Sequence, residues 1–168
     1  LMSAEKVLSE HNMLVDLGRN DLGRISQYGS VEVTKYQMIH KYSKIMHICS
    51  QVESNIRPDM DSLDAIKSVL PAGTLSGAPK IRACEIIDEL EPVPRGIYGG
   101  ALGYVDFGGN MDTCIAIRMA VKKNNKVYVQ AGGGIVADSV PANEYQESAN
   151  KAKAVMLALE NAKEAVRI

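Results

Sequence analysis

Apolar positions change rhythm several times along this chain, and each change marks an element. From Ala4 to Arg19, Leu8, Met13, Leu14 and Leu17 recur at roughly helical spacing, predicting a first helix that Asn20-Asp21 and Gly23 end. Arg24 to Tyr28 reads as short and extended, with a turn at Gly29-Ser30. Val31 to Tyr36 alternates Val31 and Val33 with Glu32 and Thr34, the period of a strand. Tyr42 to Val52, with Ile45, Ile48 and Val52 apolar, is a second strand candidate. Arg57-Pro58-Asp59 is a loop, and Asp61 or Ser62 caps a helix running to Leu70.

The segment Pro71-Ala72-Gly73-Thr74-Leu75-Ser76-Gly77-Ala78-Pro79-Lys80 then interrupts the pattern. Two prolines fix φ and two glycines permit close backbone approach, so it reads as an ordered turn. Its hydroxyls and N–H groups suit an oxygen-rich ligand at a helix start, but also a simple connector between helices. A helix from Lys80 to Leu90 stops before Pro92 and Pro94. Gly96 to Phe107 reads as a strand, Gly108-Gly109-Asn110 as a hairpin turn, and Asp112 to Val121 as the returning strand. Asn124-Asn125 suits a second turn with positive φ. Val127 to Val136 is a third strand of the meander, broken by Gly132-Gly133-Gly134, and Ala142 to Val166 a long closing helix. This order predicts an α+β fold with antiparallel strands.

Composition narrows the function classes. With 168 residues the chain is one domain of ordinary size or a piece of a larger one. Hydrophobic content of 46% and charged content of 23% are those of a globular protein. A formal net charge of −1 makes no electrostatic case for nucleic acid or an acidic membrane. No run of apolar residues is long enough for a membrane-spanning helix, and no signal peptide is visible. Cys49, Cys84 and Cys114 form no CxxC pair and read as small buried hydrophobes, which fits a reducing cytoplasm. The eight Met residues read as core filler.

Several residues carry candidate chemistry. Gly132, Gly133 and Gly134 weaken a strand and so need a cause, either N–H groups facing a ligand or a bulge. Glu144 and Glu147 lie three apart near the start of the last helix, which puts both carboxylates on one face. They match the helix dipole, and they also make half of a hard-cation site, because Mg2+ takes oxygen ligands from one or two carboxylates plus substrate. Glu10, in the first helix, offers a third carboxylate. No Cys or His cluster suggests zinc. His47, among Ile45, Met46, Ile48 and Cys49, reads as a core histidine or a proton-transfer group; His11 and His40 make weaker candidates. Arg118, inside an expected strand, needs a partner or a ligand carboxylate. Lys151 stands four residues beyond Glu147, the spacing of a helical ion pair. These pieces suit a small dicarboxylate, one carboxylate on Mg2+ and the other on arginine.

Five stretches resemble the C-terminal part of anthranilate synthase large subunits, in the chorismate-utilising enzyme family. They are Glu10-His11-Asn12-Met13-Leu14-Val15-Asp16-Leu17-Gly18-Arg19-Asn20-Asp21; Ile45-Met46-His47-Ile48; Pro71 to Lys80; Tyr98-Gly99-Gly100 with Gly109 to Arg118; and Gln130 to Ser139 with Glu144, Glu147, Asn150 and Lys151. They follow the family's order over nearly the whole chain. The resemblance implies that residues 1–168 are the C-terminal portion of a chorismate-binding catalytic domain, an α/β/β/α layered fold with antiparallel sheets and a long C-terminal helix. It also implies site roles. Glu10, Glu144 and Glu147 fall on acidic metal-site positions, with Glu10 and Glu147 as direct Mg2+ ligands. Gly132, Gly133, Gly134 and Lys151 lie beside the ring carboxylate of chorismate. Tyr98 and Arg118 bind the carboxylate of the enolpyruvyl arm, Thr74 lines the ring pocket, and His47 assists pyruvate elimination.

The implied reaction adds ammonia to the ring with loss of the 4-hydroxyl, then eliminates pyruvate to leave anthranilate, the first step of tryptophan biosynthesis. Ammonia comes free or from a glutamine amidotransferase subunit. The Ala72 to Gly77 wording favours anthranilate synthase, while aminodeoxyisochorismate and aminodeoxychorismate synthases, or a non-catalytic binding domain, are the alternatives. The family's Ser-Pro-Glu segment, its Arg-Pro-Ile-x-Gly-Thr segment and the tryptophan-sensing region are not in this sequence, and Val7 and Lys44 depart from family habit. The expectation is therefore that this chain alone turns over nothing and self-associates through faces its partners would cover.

Overall fold

The computed structural model describes residues 5–41 and 46–165. Its elements, in chain order, are helix α1 (Glu5–Gly23), strands β1 (Glu32–Lys41) and β2 (Met46–Glu53), helix α2 (Ser62–Val69), a 3-10 turn (Gly73–Leu75), helix α3 (Lys80–Leu90), strands β3 (Ala101–Val105), β4 (Met111–Ile115), β5 (Ala120–Lys123) and β6 (Lys126–Val129), and helix α4 (Pro141–Ala165). Helices mixed with antiparallel pairs, closed by a long helix, make the α+β fold that the order of elements predicts. Residues up to Val93 and Gly103–Thr113 form one compact unit; Pro94–Leu102 and the residues from Cys114 onward form a second. The expected strand start at Tyr42 to Ile45, with Lys44, lies outside the described residues.

In the first unit α1 packs on β2, on α2 and on the 3-10 turn. The helix runs past Arg19 and ends at Gly23, within the Asn20 to Gly23 stretch that the sequence marks as its end. Its last turn carries a tertiary contact. The Asp21 carboxylate receives the Lys80 ammonium at 2.8 Å, and both side chains are about nine-tenths buried. Ile25 N–H then donates to the Leu22 carbonyl, and so does the Ser26 hydroxyl, which satisfies the helix end. Strands β1 and β2 pair antiparallel from Glu32↔Glu53 to Lys41↔Met46. Tyr36 and Gln37 together stand opposite Ser50, a bulge, with Gln37 at φ 52°.

Helix α2 starts where its sequence places it. The Asp61 side chain accepts from the N–H groups of Leu63 and Asp64, and the Asp64 side chain returns a bond to Asp61 N–H. Helix α3 spans the predicted residues and is followed by Pro92. Between them Gly73 lies against Leu17, where an added Cβ would meet Leu17 Cδ1 at 2.8 Å.

Strands β3 and β4 form one hairpin and β5 and β6 another. The expected three-stranded meander is thus two separate pairs. The break is local: Ile117 N–H turns back to the Ile115 carbonyl at 2.8 Å and Arg118 takes φ 54°. Arg118 therefore lies outside any strand, contrary to the sequence reading. β6 likewise ends at Val129, before the glycines. Within the β3–β4 hairpin a Cβ on Gly103 would lie 2.1 Å from the Asp112 carbonyl oxygen, so the strands meet at glycine. Asn124 and Asn125, at φ 51° and 58°, make the β5–β6 turn as expected. Helix α4 packs against β6.

Buried apolar side chains are few among the described residues: Val15 and Ile25 in the first unit and Ala116 in the second. The cysteines are not the buried hydrophobes expected; Cys114 is exposed, Cys49 and Cys84 are half-buried, and all three are free thiols.

Candidate functional site

The second unit holds eight of the residues singled out by sequence. Helix α4 carries Glu144 in its first turn, Glu147 one turn on and Lys151 one turn further. Glu144 is buried. Lys151 Nζ pairs with the Glu147 carboxylate, as the i,i+4 spacing predicts, and donates to the Gly132 carbonyl at 3.2 Å. The glycine segment thus runs beside this face of α4. A Cβ on Gly133 would lie 3.6 Å from Glu144 Oε2 and 3.5 Å from Ser148 Oγ, and one on Gly132 would lie 3.5 Å from the Tyr98 hydroxyl.

These distances are ordinary van der Waals contacts, and Gly134 has nothing within 4 Å. None of the three glycines adopts the left-handed φ that would demand glycine. Among the described residues neither a close contact nor a left-handed φ accounts for the run, and the segment leaves its backbone open beside α4. Tyr98 reaches it from the turn before β3, where Gly99 N–H donates to the Ala116 carbonyl at 2.9 Å and Ala116 N–H to the Gly100 carbonyl at 2.8 Å. Arg118 follows two residues later and is exposed, its positive φ turning it out of line with β4. Two neighbours escaped the sequence reading. Ser148 lies four residues after Glu144, a spacing that identifies it. The Arg95 guanidinium sits over the Tyr98 ring, 5.9 Å from its centroid, and only the turn geometry reveals it.

The first unit holds Glu10, His47 and Thr74. Glu10 is half-buried on α1. His47 lies on β2 as expected, but it is exposed and opposite His40 in register, so it is no core histidine. Thr74 sits in the 3-10 turn against which α1 packs. Lys80 holds the far end of that turn, binding Asp21 on α1 and donating to the Val69 carbonyl at the end of α2 at 3.3 Å.

Among the described residues no three His, Cys, Asp or Glu side chains group as metal ligands. Glu10 belongs to one unit and Glu144 and Glu147 to the other, so neither unit assembles the expected trio of carboxylates by itself. The donors fit a hard cation nonetheless. Glu144 and Glu147 present two carboxylates on one helix face beside the glycine segment, and Mg2+ needs only one or two protein carboxylates besides substrate oxygens and water.

Comparison with known proteins fits this geometry. Residues 1–157 match the model of the chorismate binding enzyme family. The chain is 58% identical over 166 residues to anthranilate synthase component 1 of Pseudomonas aeruginosa, covering 99% of this chain and 34% of that protein. It is 58% identical over 164 residues to the same-named protein of Acetivibrio thermocellus, covering 98% and 33%. The crystal structure of anthranilate synthase component I from Streptococcus pneumoniae superposes with a TM-score of 0.89 at 55% identity, over 92% of this chain and 36% of that one. A putative 2,3-dihydroxybenzoate-specific isochorismate synthase from Bacillus anthracis superposes with a TM-score of 0.85 at 27% identity, over 95% and 42%. The chain thus spans about a third of the length of the curated relatives it matches. The stretches from Glu10 to Asp21, Pro71 to Lys80 and Gln130 to Lys151 lie within the matched region, and the chain belongs to the chorismate binding enzyme family.

Proposed function

We propose that this chain supplies part of the chorismate site of an anthranilate synthase, a lyase that aminates chorismate and eliminates pyruvate. The observation that carries the reading is the Gly132–Gly134 cradle, glycine without a steric or conformational need, faced by Glu144, Ser148 and Lys151. The names of the relatives at 58% identity support it over the related synthases.

In this reading the N–H groups of the cradle and the Lys151 ammonium hold the ring carboxylate of chorismate. Glu10 and Glu147 would hold Mg2+, with Glu144 beside them. When bound, the ion supplies Lewis-acid polarisation and orientation of that carboxylate. The Tyr98 hydroxyl and Arg118 guanidinium hold the second carboxylate, on the enolpyruvyl arm, and Arg95 keeps the Tyr98 ring in place. Thr74 lines the ring pocket. Ammonia adds to the ring as the 4-hydroxyl leaves. The bond from ring carbon to enolpyruvyl oxygen then breaks, pyruvate departs, and His47 assists by moving the proton that the ring gives up on becoming aromatic. Ammonia arrives free or from a glutamine amidotransferase subunit, and the setting is cytoplasmic. Among the described residues no helix is long and apolar enough to cross a membrane.

The test exchanges this sequence for the matching third of the Pseudomonas aeruginosa relative. With chorismate, ammonium and Mg2+ the chimera releases anthranilate fluorescence and an equal amount of pyruvate, and Glu147→Gln abolishes both. A folded chimera that yields aminodeoxyisochorismate without pyruvate favours the alternative synthase. A folded chimera that yields neither product sinks the reading.

A further inference from the structure

Gln37 and Arg118 are the two described non-glycine residues with positive φ that do not sit in an Asn-Asn turn. Such a conformation costs free energy and persists only where surroundings enforce it. Around Gln37 the enforcement is visible. Its N–H donates to Ser50 Oγ at 2.9 Å, and its side-chain amide donates to Asn12 Oδ1 at 3.0 Å and to the Tyr36 hydroxyl at 3.2 Å. The Tyr36 hydroxyl donates to the same Asn12 oxygen at 2.7 Å. Ser50 Oγ also shares a hydrogen bond of 2.7 Å with His11 Nε2. Every one of these bonds joins the Tyr36–Gln37 bulge, or the Ser50 it faces, to itself or to residues 11 and 12 of α1.

We infer that this bulge is a positioning device for Glu10, the residue immediately before His11. The inference rests on the reading of Glu10 as a metal ligand. A regular β1–β2 ladder would pair Ser50 with one residue and present no N–H to its hydroxyl from a second. The bulge adds a residue, turns the Gln37 N–H onto Ser50, and swings the Tyr36 and Gln37 side chains onto Asn12. The turn of α1 that bears Glu10 is thereby fixed to the hairpin at two points, to β2 through His11 and Ser50 and to β1 through Asn12. Ser50 lies three residues beyond His47 on that strand, so one polar cluster sets the metal-ligand helix against the strand of the proton-transfer histidine. Ser50 and Gln37 are positioning residues; neither is assigned contact with substrate.

The test uses the whole 168-residue chain and three variants, Ser50→Ala, Ser50→Thr and Gln37→Gly. Two readouts apply: the 15N shifts of the His11 ring with amide exchange over residues 8–14, and Mn2+-induced line broadening at residues 9–12. In Ser50→Ala the His11 Nε2 shift moves, exchange over residues 8–14 rises about tenfold relative to α2, and the apparent Mn2+ affinity falls about tenfold, the loss expected of an outer-shell partner. Ser50→Thr, which keeps the hydroxyl, restores all three. Gln37→Gly, which relieves the strain but loses the Asn12 bond, gives an intermediate Mn2+ affinity. An unchanged His11 signal in Ser50→Ala overturns the inference. So does Mn2+ broadening of equal strength in every variant, which would leave the cluster purely structural. Absence of broadening in the unaltered chain instead overturns the reading of Glu10 as a ligand, and the inference with it.

Discussion

Replacing Lys80 by Met removes an ammonium from a nearly dry site while keeping the bulk of its stem. The Lys80 and Asp21 side chains are 10% and 7% exposed, and their charged atoms lie 2.8 Å apart. At an effective dielectric of about 20, that separation gives roughly 6 kcal/mol of Coulombic attraction, before the cost of stripping water from both groups. Removing one partner leaves the other charge buried, a loss of about 3–5 kcal/mol in such sites. Loss of the bond from Lys80 to the Val69 carbonyl adds to it. The chain has no tryptophan, so urea unfolding is followed by far-UV circular dichroism. Lys80→Met should lower stability by about 3 kcal/mol or more, and Asp21→Asn with Lys80→Met should cost well under the sum of the two single changes. A single-variant loss below about 1 kcal/mol, or strict additivity, would mean that the pair is screened like a surface ion pair, and the account of a dry, coupled contact between α1 and α3 would fail.

Asp106 at the β3–β4 turn accepts from the Asn110 side-chain amide, its largest influence, and from the Asn110 N–H, which hold its carboxyl below the usual carboxylate range. The hairpin therefore gains stability above the unfolded carboxyl range and loses it as pH falls through the lowered value; in an NMR titration Asn110→Ala should move the Asp106 midpoint upward, and an unmoved midpoint refutes the assignment. Asp61→Ala removes both bonds from the α2 capping residue and should cost about 0.5–2 kcal/mol, read by urea unfolding with local exchange over residues 62–69. Exposed Tyr36, Met38, Ile39 and Met46 on the β1–β2 hairpin, with Ile81 and Leu90 on α3, should make the isolated chain self-associate, so that its sedimentation coefficient rises with concentration; a monomer at every concentration contradicts this.

Local chemistry was legible wherever a boundary depends on residues near it in sequence. Asp61 with Asp64 announces α2, Pro92 stands just beyond the end of α3, and Asn124-Asn125 announces the β5–β6 turn, because caps and turns are formed by close neighbours. Tertiary partners were not legible. Nothing near Asp21 says that Lys80 will pair with it, and nothing near Cys114 to Val121 says that Arg118 will leave the ladder. The site divides in the same way. Glu144, Glu147 and Lys151 follow from helical spacing, whereas the approach of Tyr98 to Gly132 and of Arg95 to Tyr98 depends on how a turn folds back on Ala116. Resemblance to the family supplied roles that spacing alone left open between capping and metal binding.

Glycine has two different histories in this protein. At Gly103 the neighbouring carbonyl leaves no space for even a methyl group, so a mutant library screened only for a folded product should return glycine there almost without exception. Gly132, Gly133 and Gly134 have room to spare, and the same library should let alanine drift into all three. Screened instead for anthranilate release within the chimera proposed above, it should keep the trio, and the gap between the two outcomes would measure what the proposed chorismate site, rather than the polypeptide, asks of this loop.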